Sequence, residues 1–179
     1  MSPEIAIVGG GPSGLALAAL LEKQGRDYIV YERGSEDSHP RGGCLDLHVG
    51  SGQRAMEEAG VFDEFKKNSR NGDATIHLLY NMHGEKVFSF GEGRDAPEID
   101  RWQLRNVLMT AIPKERIAYD KPVVDSHRDA NKNIVINFAD GTTASGFKLV
   151  VGADGTFSKI RHLVCLSAVL LHHPPPCLD

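Results

Sequence analysis

Apolar residues near the start of the chain fall into three runs separated by glycines and polar residues. The first run is Ile5–Val8, the second is the leucine- and alanine-rich stretch 15–21, and the third is Tyr28–Tyr31. A short apolar run bounded by glycine is typical of a strand, and a longer one of a buried helix. Residues 4–33 therefore predict a strand, a helix that ends at Gln24-Gly25, and a second strand.

The turn between the first strand and the helix has the spacing G-x-G-x-x-G, with Pro12 and Ser13 inside it. Gly9 permits the tight turn, Gly11 lets a pyrophosphate approach the backbone, and Gly14 lets the helix lie close to the strand. The free N–H groups and the positive end of the helix dipole would then face the anion. The spacing thus indicates a phosphate site.

Glu32 ends the second predicted strand, where a carboxylate accepts hydrogen bonds from a ribose in dinucleotide-binding proteins. A glycine-rich turn between strand and helix also occurs for packing alone, so a structural unit without ligand is the alternative. The acid at this position favours the dinucleotide interpretation.

The middle of the chain predicts further short elements. Residues 41–48 alternate apolar and polar positions after a glycine pair, and a helix over 52–59 follows with Ser51 as N-cap. The runs 75–80 and 85–90, joined by Asn81-Met82-His83-Gly84, predict an antiparallel hairpin. We expect this hairpin to form a separate layer and a wall of a substrate cavity.

The second half predicts a helix from Asp100 with a capping box that ends at Gln103, and an apolar stripe of Leu104, Val107, Leu108 and Ala111. Runs 117–126, 133–138 and 142–147 predict a three-stranded meander with a turn at Asp140-Gly141. The continuous apolar run 148–155 predicts a strand that returns to a parallel sheet, and 156–164 predicts a helix.

Together these elements predict an α/β fold: a Rossmann-like parallel sheet with an inserted antiparallel meander and the start of a β substrate layer. We assign 1–162 to a single, split nucleotide-binding domain interrupted by the hairpin 75–90 and the meander 117–147. Residues 163–179 form an anomalous tail that the fold pattern does not explain.

Composition narrows the class of protein. The 179 residues are 41% hydrophobic and 25% charged, as in one globular domain with a core. A net charge of -4 gives no general attraction to nucleic acid or anionic membrane. Three cysteines without metal-like spacing, and a start without a secretory signal, predict a cytoplasmic protein. His48, His77 and His83 lack a second ligand at metal spacing, so no metal site is predicted.

Three blocks, in this order, resemble the FAD-dependent aromatic-hydroxylase type of monooxygenase. They are 9–14 with Glu32-Arg33, then Asp100-Arg101 with Leu104-Arg105, then Gly152-Ala153-Asp154-Gly155 with Ser158 and Arg161. Residues 42–48 followed by Gly50-Ser51-Gly52-Gln53 look especially similar to the tetracycline-inactivating flavin monooxygenases.

The resemblance implies roles for individual residues. Glu32 would hold the adenosine ribose and Arg33 would lie near the adenine. Arg101 matches an arginine that contacts FAD, Arg105 lies one turn further along the same helix, and Asp46 matches an acid beside the flavin. Arg41 lies near the position of an arginine linked to NADPH, and the block around Asp154 resembles a segment that touches both nucleotides.

Plainer interpretations stay open beside these roles. Arg101 and Arg105 would also suit a solvated helix face, Asp46 a surface acid, and Asp154-Gly155 a simple turn. We expect Arg161 on the surface. Trp102 is expected in the core rather than against a ligand ring.

The resemblance implies an FAD-dependent monooxygenase of secondary metabolism that uses NADPH and O₂ to oxygenate a small aromatic or polyketide-like molecule, with no catalytic triad or metal. Family members are longer and carry a later flavin-binding segment. The alternatives are therefore a shortened FAD-binding module without turnover, or a flavin-dependent dehydrogenase or reductase of the same fold. The oligomeric state is not predicted.

Overall fold

The structure is a computed structural model that describes residues 3–38, 42–71 and 76–164. The chain divides into two compact units. The described residues of the first lie within Met1–Gly14, Gly25–Ser38 and Lys114–Asp179, and those of the second within Leu15–Gln24 and His39–Pro113.

The strands, in chain order, are β1 (Ile5–Val8), β2 (Tyr28–Tyr31), β3 (Cys44–Asp46), β4 (His77–Tyr80), β5 (Lys86–Phe90), β6 (Glu98–Asp100), β7 (Ile117–Ala118), β8 (Val123–Arg128), β9 (Ile134–Phe138), β10 (Thr143–Ala144) and β11 (Leu149–Gly152). The helices are α1 (Pro12–Lys23), α2 (Gly52–Ala59), α3 (Phe62–Asn68) and α4 (Arg101–Met109).

The first unit is built on a four-stranded parallel sheet with the strand order β11-β1-β2-β7. β1 lies between β2 and β11, with Ile5 opposite Tyr28 on one side and Leu149 on the other. The helix that follows β1 begins at Pro12, where a missing N–H is tolerated, and ends before Gly25. The predicted strand, helix, strand unit and the returning parallel strand are therefore confirmed.

A second, antiparallel sheet of β10, β9 and β8 belongs to the same unit. Ala6, Val8, Ile136, Phe138 and Ile160 form a buried cluster to which β1 and the meander both contribute. Apolar burial of this kind is the main favourable term in folding, so this cluster holds the two sheets of the unit together.

The predicted first meander strand, 117–126, is wrong in one respect. The run divides into β7, which joins the parallel sheet, and β8, which begins the meander. Asp120 between them has φ +53°, and Pro122 follows it. A left-handed residue and a proline cannot continue a strand, so the chain leaves one sheet and enters the other.

The predicted helix over 156–164 is also wrong. Only a 3-10 turn, Arg161–Leu163, forms there. The Asp154 carboxylate accepts a hydrogen bond from the Lys159 N–H at 2.5 Å, and Ser158 Oγ accepts from the Arg161 N–H at 3.0 Å. These side chains satisfy the backbone donors locally, which lets a series of turns replace a regular helix.

The second unit contains two small antiparallel sheets, β3 with β6 and β4 with β5, together with α1 from Leu15 onward and the helices α2, α3 and α4. The β4–β5 hairpin turns at Asn81–Gly84 as predicted. Residues 72–75 lie outside the described residues, and they include Thr75, the first residue of the predicted strand 75–80. α3 and β6 were not predicted, because both are short and lack a repeating apolar pattern. None of the described helices has the length and apolar character needed to cross a bilayer.

Both predicted helix caps in this unit are wrong. Ser51 and Asp100 occupy the N-cap positions of α2 and α4, but neither side chain caps its helix. Asp100 instead accepts a bidentate pair of hydrogen bonds from Arg70, both at 3.0 Å. Trp102, expected in the core, is 45% exposed.

Acid should destabilise the first unit through Asp140 in the β9–β10 turn. Its carboxylate accepts hydrogen bonds from Lys121 Nζ at 2.5 Å, from Thr142 Oγ1 at 2.6 Å and from the Thr142 N–H at 2.9 Å. The lysine first, and the threonine second, hold the pKa of Asp140 below its usual value. A lowered folded-state pKa contributes stability above the unfolded value, about pH 4, that is lost as the pH falls below it.

We therefore expect Asp140→Asn to lower the melting temperature at pH 7. Between about pH 4 and pH 2 the melting temperature of this variant should fall less than that of the wild type. Thermal denaturation followed by circular dichroism at pH 7, pH 4 and pH 2 measures these melting temperatures. Asp37→Asn, at an exposed aspartate of the same unit, is the control and should change neither value. Equal acid sensitivity in wild type and Asp140→Asn would contradict the assignment.

Candidate functional site

The glycine turn after β1 has the geometry that its spacing predicts. Gly9 has φ +109°, and a Cβ there would lie 2.4 Å from the Ala153 carbonyl oxygen. A Cβ at Gly14 would lie 2.0 Å from the Gly9 carbonyl oxygen. Neither position accepts a side chain, and the first turn of α1 therefore lies directly against the end of β1.

Gly11 differs from these two glycines. A Cβ there would meet nothing within 4 Å, and its φ is not in the left-handed region. The fold therefore does not require glycine at 11. An open backbone at the N-terminus of a 12-residue helix is what a phosphate needs to reach the N–H groups.

Glu32 lies immediately after β2 and joins two parts of the first unit. Its Oε2 accepts a hydrogen bond from the Gly10 N–H at 2.6 Å, and its Oε1 accepts one from the Gly34 N–H at 2.8 Å. The carboxylate is thereby fixed beside the glycine turn. Arg33, the next residue, is exposed.

Asp154 follows β11 and lies beside the same turn. The Ala153 N–H donates to the Val8 carbonyl at 2.7 Å, which places the 153–155 segment against the end of β1. Asp154 Oδ2 accepts from Lys159, while Oδ1 is buried and has no hydrogen-bond partner among the described residues. A buried acceptor without a donor is costly, and a ligand hydroxyl would satisfy it. Arg161 is exposed, as expected.

In the second unit, Arg101 lies over the glycine pair that precedes β3. Gly42 has φ +132°, and a Cβ there would lie 2.7 Å from Arg101 Cδ. The Arg101 N–H donates to the Gly43 carbonyl at 3.3 Å. The glycine pair thus leaves room for the arginine side chain, a role that the sequence did not predict.

Arg105 and Asp46 occupy different environments in this unit. Arg105 is buried, with 7% of its surface exposed, so the interpretation of a solvated helix face is wrong for this residue. Asp46 is exposed on β3, opposite Glu98 of β6. Arg41 lies outside the described residues, and its proposed link to NADPH stays a prediction.

Arg70 binds the acidic residues of β6, a role that no sequence pattern indicated. It donates to Glu98 Oε1 at 2.9 Å in addition to its bidentate pair with Asp100. These hydrogen bonds raise the pKa of Arg70 and lower that of Asp100.

A hydrogen bond to Glu98 raises the pKa of the Cys44 thiol, so little thiolate forms and this cysteine is a poor nucleophile.

Gln53 is a second residue without a predicted role. It is buried, and its Nε2 donates to the Leu47 carbonyl at 3.0 Å and to Asp95 Oδ1 at 3.0 Å. It thereby fixes the backbone that follows Asp46. A polar residue on the apolar side of the short helix α2 was the sequence signal from which this role could have been predicted.

The described residues fit a dinucleotide in the first unit. An open helix N-terminus at Gly11 with Pro12 and Ser13, an acid at the end of β2, and the unsatisfied Asp154 acceptor all belong to that unit. Among the described residues, no three of His, Cys, Asp and Glu come together as a metal site. The arrangement therefore suits a phosphate and ribose ligand.

Comparison with known sequences agrees with this interpretation of the site. The chain is 34% identical over 175 residues to the monooxygenase asqM of Emericella nidulans, covering 88% of this chain and 39% of that protein. It is 29% identical over 172 residues to 6-hydroxynicotinate 3-monooxygenase of Pseudomonas fluorescens, covering 89% and 42% respectively. The chain thus spans about two fifths of the length of these relatives.

Solved structures share the fold. The chain superposes on 2,6-dihydroxypyridine-3-hydroxylase of Arthrobacter nicotinovorans with a TM-score of 0.73 at 26% identity, covering 91% of this chain and 39% of that one. Tetracycline destructase Tet(55) gives a TM-score of 0.70 at 24% identity, covering 92% and 41%. The predicted Rossmann-like fold class and the resemblance to flavin monooxygenases are confirmed.

The profile of one protein family, described as FAD binding domain, matches residues 3–169. That range contains the glycine turn, the acid after β2 and the Asp154 turn, which are the parts that the geometry singles out. The chain therefore belongs to the FAD binding domain family.

Proposed function

We propose that this chain carries the FAD-binding part of a monooxygenase that uses NAD(P)H and O₂ to oxygenate a small aromatic or polyketide-like molecule. The observation that carries the proposal is the assembly of an open glycine turn, the Glu32 carboxylate and the unsatisfied Asp154 acceptor in one compact unit. Both relatives compared by sequence are named monooxygenases, and 6-hydroxynicotinate 3-monooxygenase and 2,6-dihydroxypyridine-3-hydroxylase are named for hydroxylated pyridine rings.

In this proposal, the residues of the chain bind and orient the nucleotides. The N–H groups at the start of α1 hold the pyrophosphate, Glu32 accepts ribose hydroxyls, and Asp154 Oδ1 accepts a further hydroxyl. Arg33, Arg41, Arg101 and Arg105 supply positive charge toward the nucleotides, and Asp46 lies beside the flavin. FAD, when bound, supplies the redox chemistry, in which NAD(P)H is the reductant and O₂ the oxidant. We further propose a cytoplasmic location.

NADPH oxidation and oxygen uptake by the purified 179-residue chain, loaded with FAD, test the activity. We expect flavin absorbance that survives desalting and NADPH oxidation that rises when a hydroxylated pyridine such as 6-hydroxynicotinate is added. Bound flavin with NADPH oxidation but no substrate-dependent oxygen uptake would favour a reductase. Bound flavin with no NADPH oxidation would favour a binding module without turnover. Either result contradicts the monooxygenase assignment for this chain.

A further inference from the structure

The β3–β6 sheet carries three acidic residues on one face. Asp46 lies opposite Glu98, and Cys44 lies opposite Asp100. Residues that are opposite each other, or two apart along a strand, share a face of the sheet. Ile99, between the two acids of β6, belongs to the other face and is fully buried. Carboxylates that share a face in this way repel each other unless a cation lies among them.

Arg70 supplies that cation, and both its backbone and its side chain are fixed. Its N–H donates to the Glu98 carbonyl at 2.7 Å, and the Glu98 N–H donates to the Arg70 carbonyl at 2.9 Å. From this backbone bridge the side chain reaches Glu98 Oε1 at 2.9 Å and both carboxylate oxygens of Asp100 at 3.0 Å. A bidentate arginine–carboxylate pair fixes geometry as well as charge. Arg70 therefore determines where the Asp100 carboxylate lies.

Asp100 is the residue at which the chain changes from strand to helix. It has φ −68° and ψ 142°, and α4 begins with Arg101. While Arg70 holds the Asp100 carboxylate, the Arg101 N–H donates to the Gly43 carbonyl at 3.3 Å. The Arg101 side chain lies so close to Gly42 that a Cβ there would be 2.7 Å from Arg101 Cδ. These contacts together fix the start of α4 and the direction of Arg101.

Loss of Arg70 would change this arrangement. A free aspartate at an N-cap position accepts hydrogen bonds from the N–H groups of the first helical turn. The freed Asp100 carboxylate would also attract the guanidinium of Arg101, the next residue. Either contact draws the two residues away from the arrangement described above. Because Arg70 and Asp100 are both partly exposed, their pair contributes little to folding stability, so its main effect is on the direction of Arg101.

We propose that Arg70 is a positioning residue for the cofactor site: by binding Asp100 it holds Arg101 in the direction that binds FAD. This inference rests on the proposed function, in which Arg101 supplies positive charge toward the nucleotides. The guanidinium of Arg70 is already occupied by two carboxylates. Arg70 therefore acts on the cofactor through Asp100 rather than by contact.

Titration calorimetry of the 179-residue chain with FAD tests this role. Arg70→Gln and Asp100→Asn should each weaken FAD binding at least about tenfold, because either change breaks the bidentate pair. The double variant should lose no more than about twofold beyond the weaker-binding single variant, because the two residues act as one unit. Independent effects would instead multiply to about a hundredfold.

Arg70→Lys separates charge from geometry. A lysine keeps the positive charge among the carboxylates but lacks the planar fork that binds both Asp100 oxygens. Its FAD affinity should therefore lie between those of the wild type and Arg70→Gln. Arg54→Gln is the matched control, because Arg54 makes an exposed ion pair with Glu58 at 3.9 Å in the same unit. It should bind FAD like the wild type, and circular dichroism should show that all these variants fold.

Wild-type FAD affinity in Arg70→Gln or in Arg70→Lys would overturn the inference. So would effects of Arg70→Gln and Asp100→Asn that multiply in the double variant. A loss of affinity in Arg54→Gln equal to that in Arg70→Gln would overturn it as well, because any change of surface charge would then suffice. If Arg70→Gln unfolds, the affinity of folded Arg70→Lys decides between the two results.

Arg101→Gln keeps a failure of this inference distinct from a failure of the proposed function. We expect it to weaken FAD binding at least as much as Arg70→Gln does. If the wild type binds FAD and Arg101→Gln weakens binding while Arg70→Gln does not, the inference alone is wrong. Wild-type affinity in Arg101→Gln would also overturn the inference alone. If the wild type binds no FAD, the proposed function is wrong and the inference with it.

Discussion

Gly11→Ala is expected to abolish flavin binding without destabilising the protein, whereas Gly14→Ala is expected to destabilise the fold itself. A methyl group at 11 meets no described atom within 4 Å, so the free energy of unfolding should change by less than about 1 kcal/mol. The same methyl group would occupy the space through which a pyrophosphate reaches the helix N-terminus. FAD affinity should fall at least about a hundredfold, or about 2.7 kcal/mol.

The methyl group of Gly14→Ala has no comparable space. It would lie 2.0 Å from the Gly9 carbonyl oxygen and 3.2 Å from Ala153 Cβ. Since the closest atom is backbone, the turn must move, and overpacking of this kind costs about 1–3 kcal/mol or more. Urea denaturation should show a loss of about 1–3 kcal/mol in the free energy of unfolding.

Gly43→Ala is the control for the stability measurement, because a methyl group there also meets nothing within 4 Å. It should unfold like the wild type. If Gly11→Ala bound FAD as well as the wild type, the open backbone at 11 would have no part in binding the cofactor.

Glu32→Gln is expected to weaken both the fold and flavin binding. The carboxylate accepts hydrogen bonds from the N–H groups of Gly10 and Gly34, and a side-chain amide has only one oxygen to accept them. Hydrogen bonds to charged acceptors contribute about 1.5–3 kcal/mol, so a loss of about 1–3 kcal/mol in unfolding free energy is expected. FAD affinity should fall by at least about tenfold, because a ribose loses its anionic acceptor.

Glu36→Gln provides the matched control for Glu32→Gln. Glu36 lies in the same segment but makes an exposed ion pair with Lys114 at 2.8 Å, and exposed pairs contribute little. Its substitution should change the unfolding free energy by less than about 1 kcal/mol and leave FAD affinity unaltered. Equal effects of the two substitutions would remove the special role of Glu32.

The parts of the fold that the sequence predicted depend on neighbouring residues. The turn at Gly9, the helix that ends before Gly25, and the hairpin turn at Asn81–Gly84 each carry their conformational cause within a few positions. Glycine at positive φ, and an asparagine that accepts the His83 and Glu85 N–H groups, make such turns recognisable without tertiary information. The returning strand β11 was predictable because its run is continuously apolar.

The errors occurred where a distant residue decides the local structure. Asp100 has the sequence of a helix cap, but Arg70, thirty positions earlier, takes its carboxylate. The burial of Arg105 and the place of Arg101 over Gly42 likewise depend on contacts that a single sequence does not reveal. The missing helix over 156–164 is an exception with a local cause, because the neighbouring Asp154 and Ser158 side chains bind the backbone donors instead.

Titration calorimetry of the 179-residue chain with FAD tests the central claim most directly, that the glycine turn, Glu32 and the Asp154 turn form a flavin nucleotide site. We predict saturable heat with one FAD bound per chain, absent in Gly11→Ala although that variant unfolds like the wild type. A folded wild-type chain that gives no heat, or a Gly11→Ala variant that binds with unchanged affinity, would contradict the account.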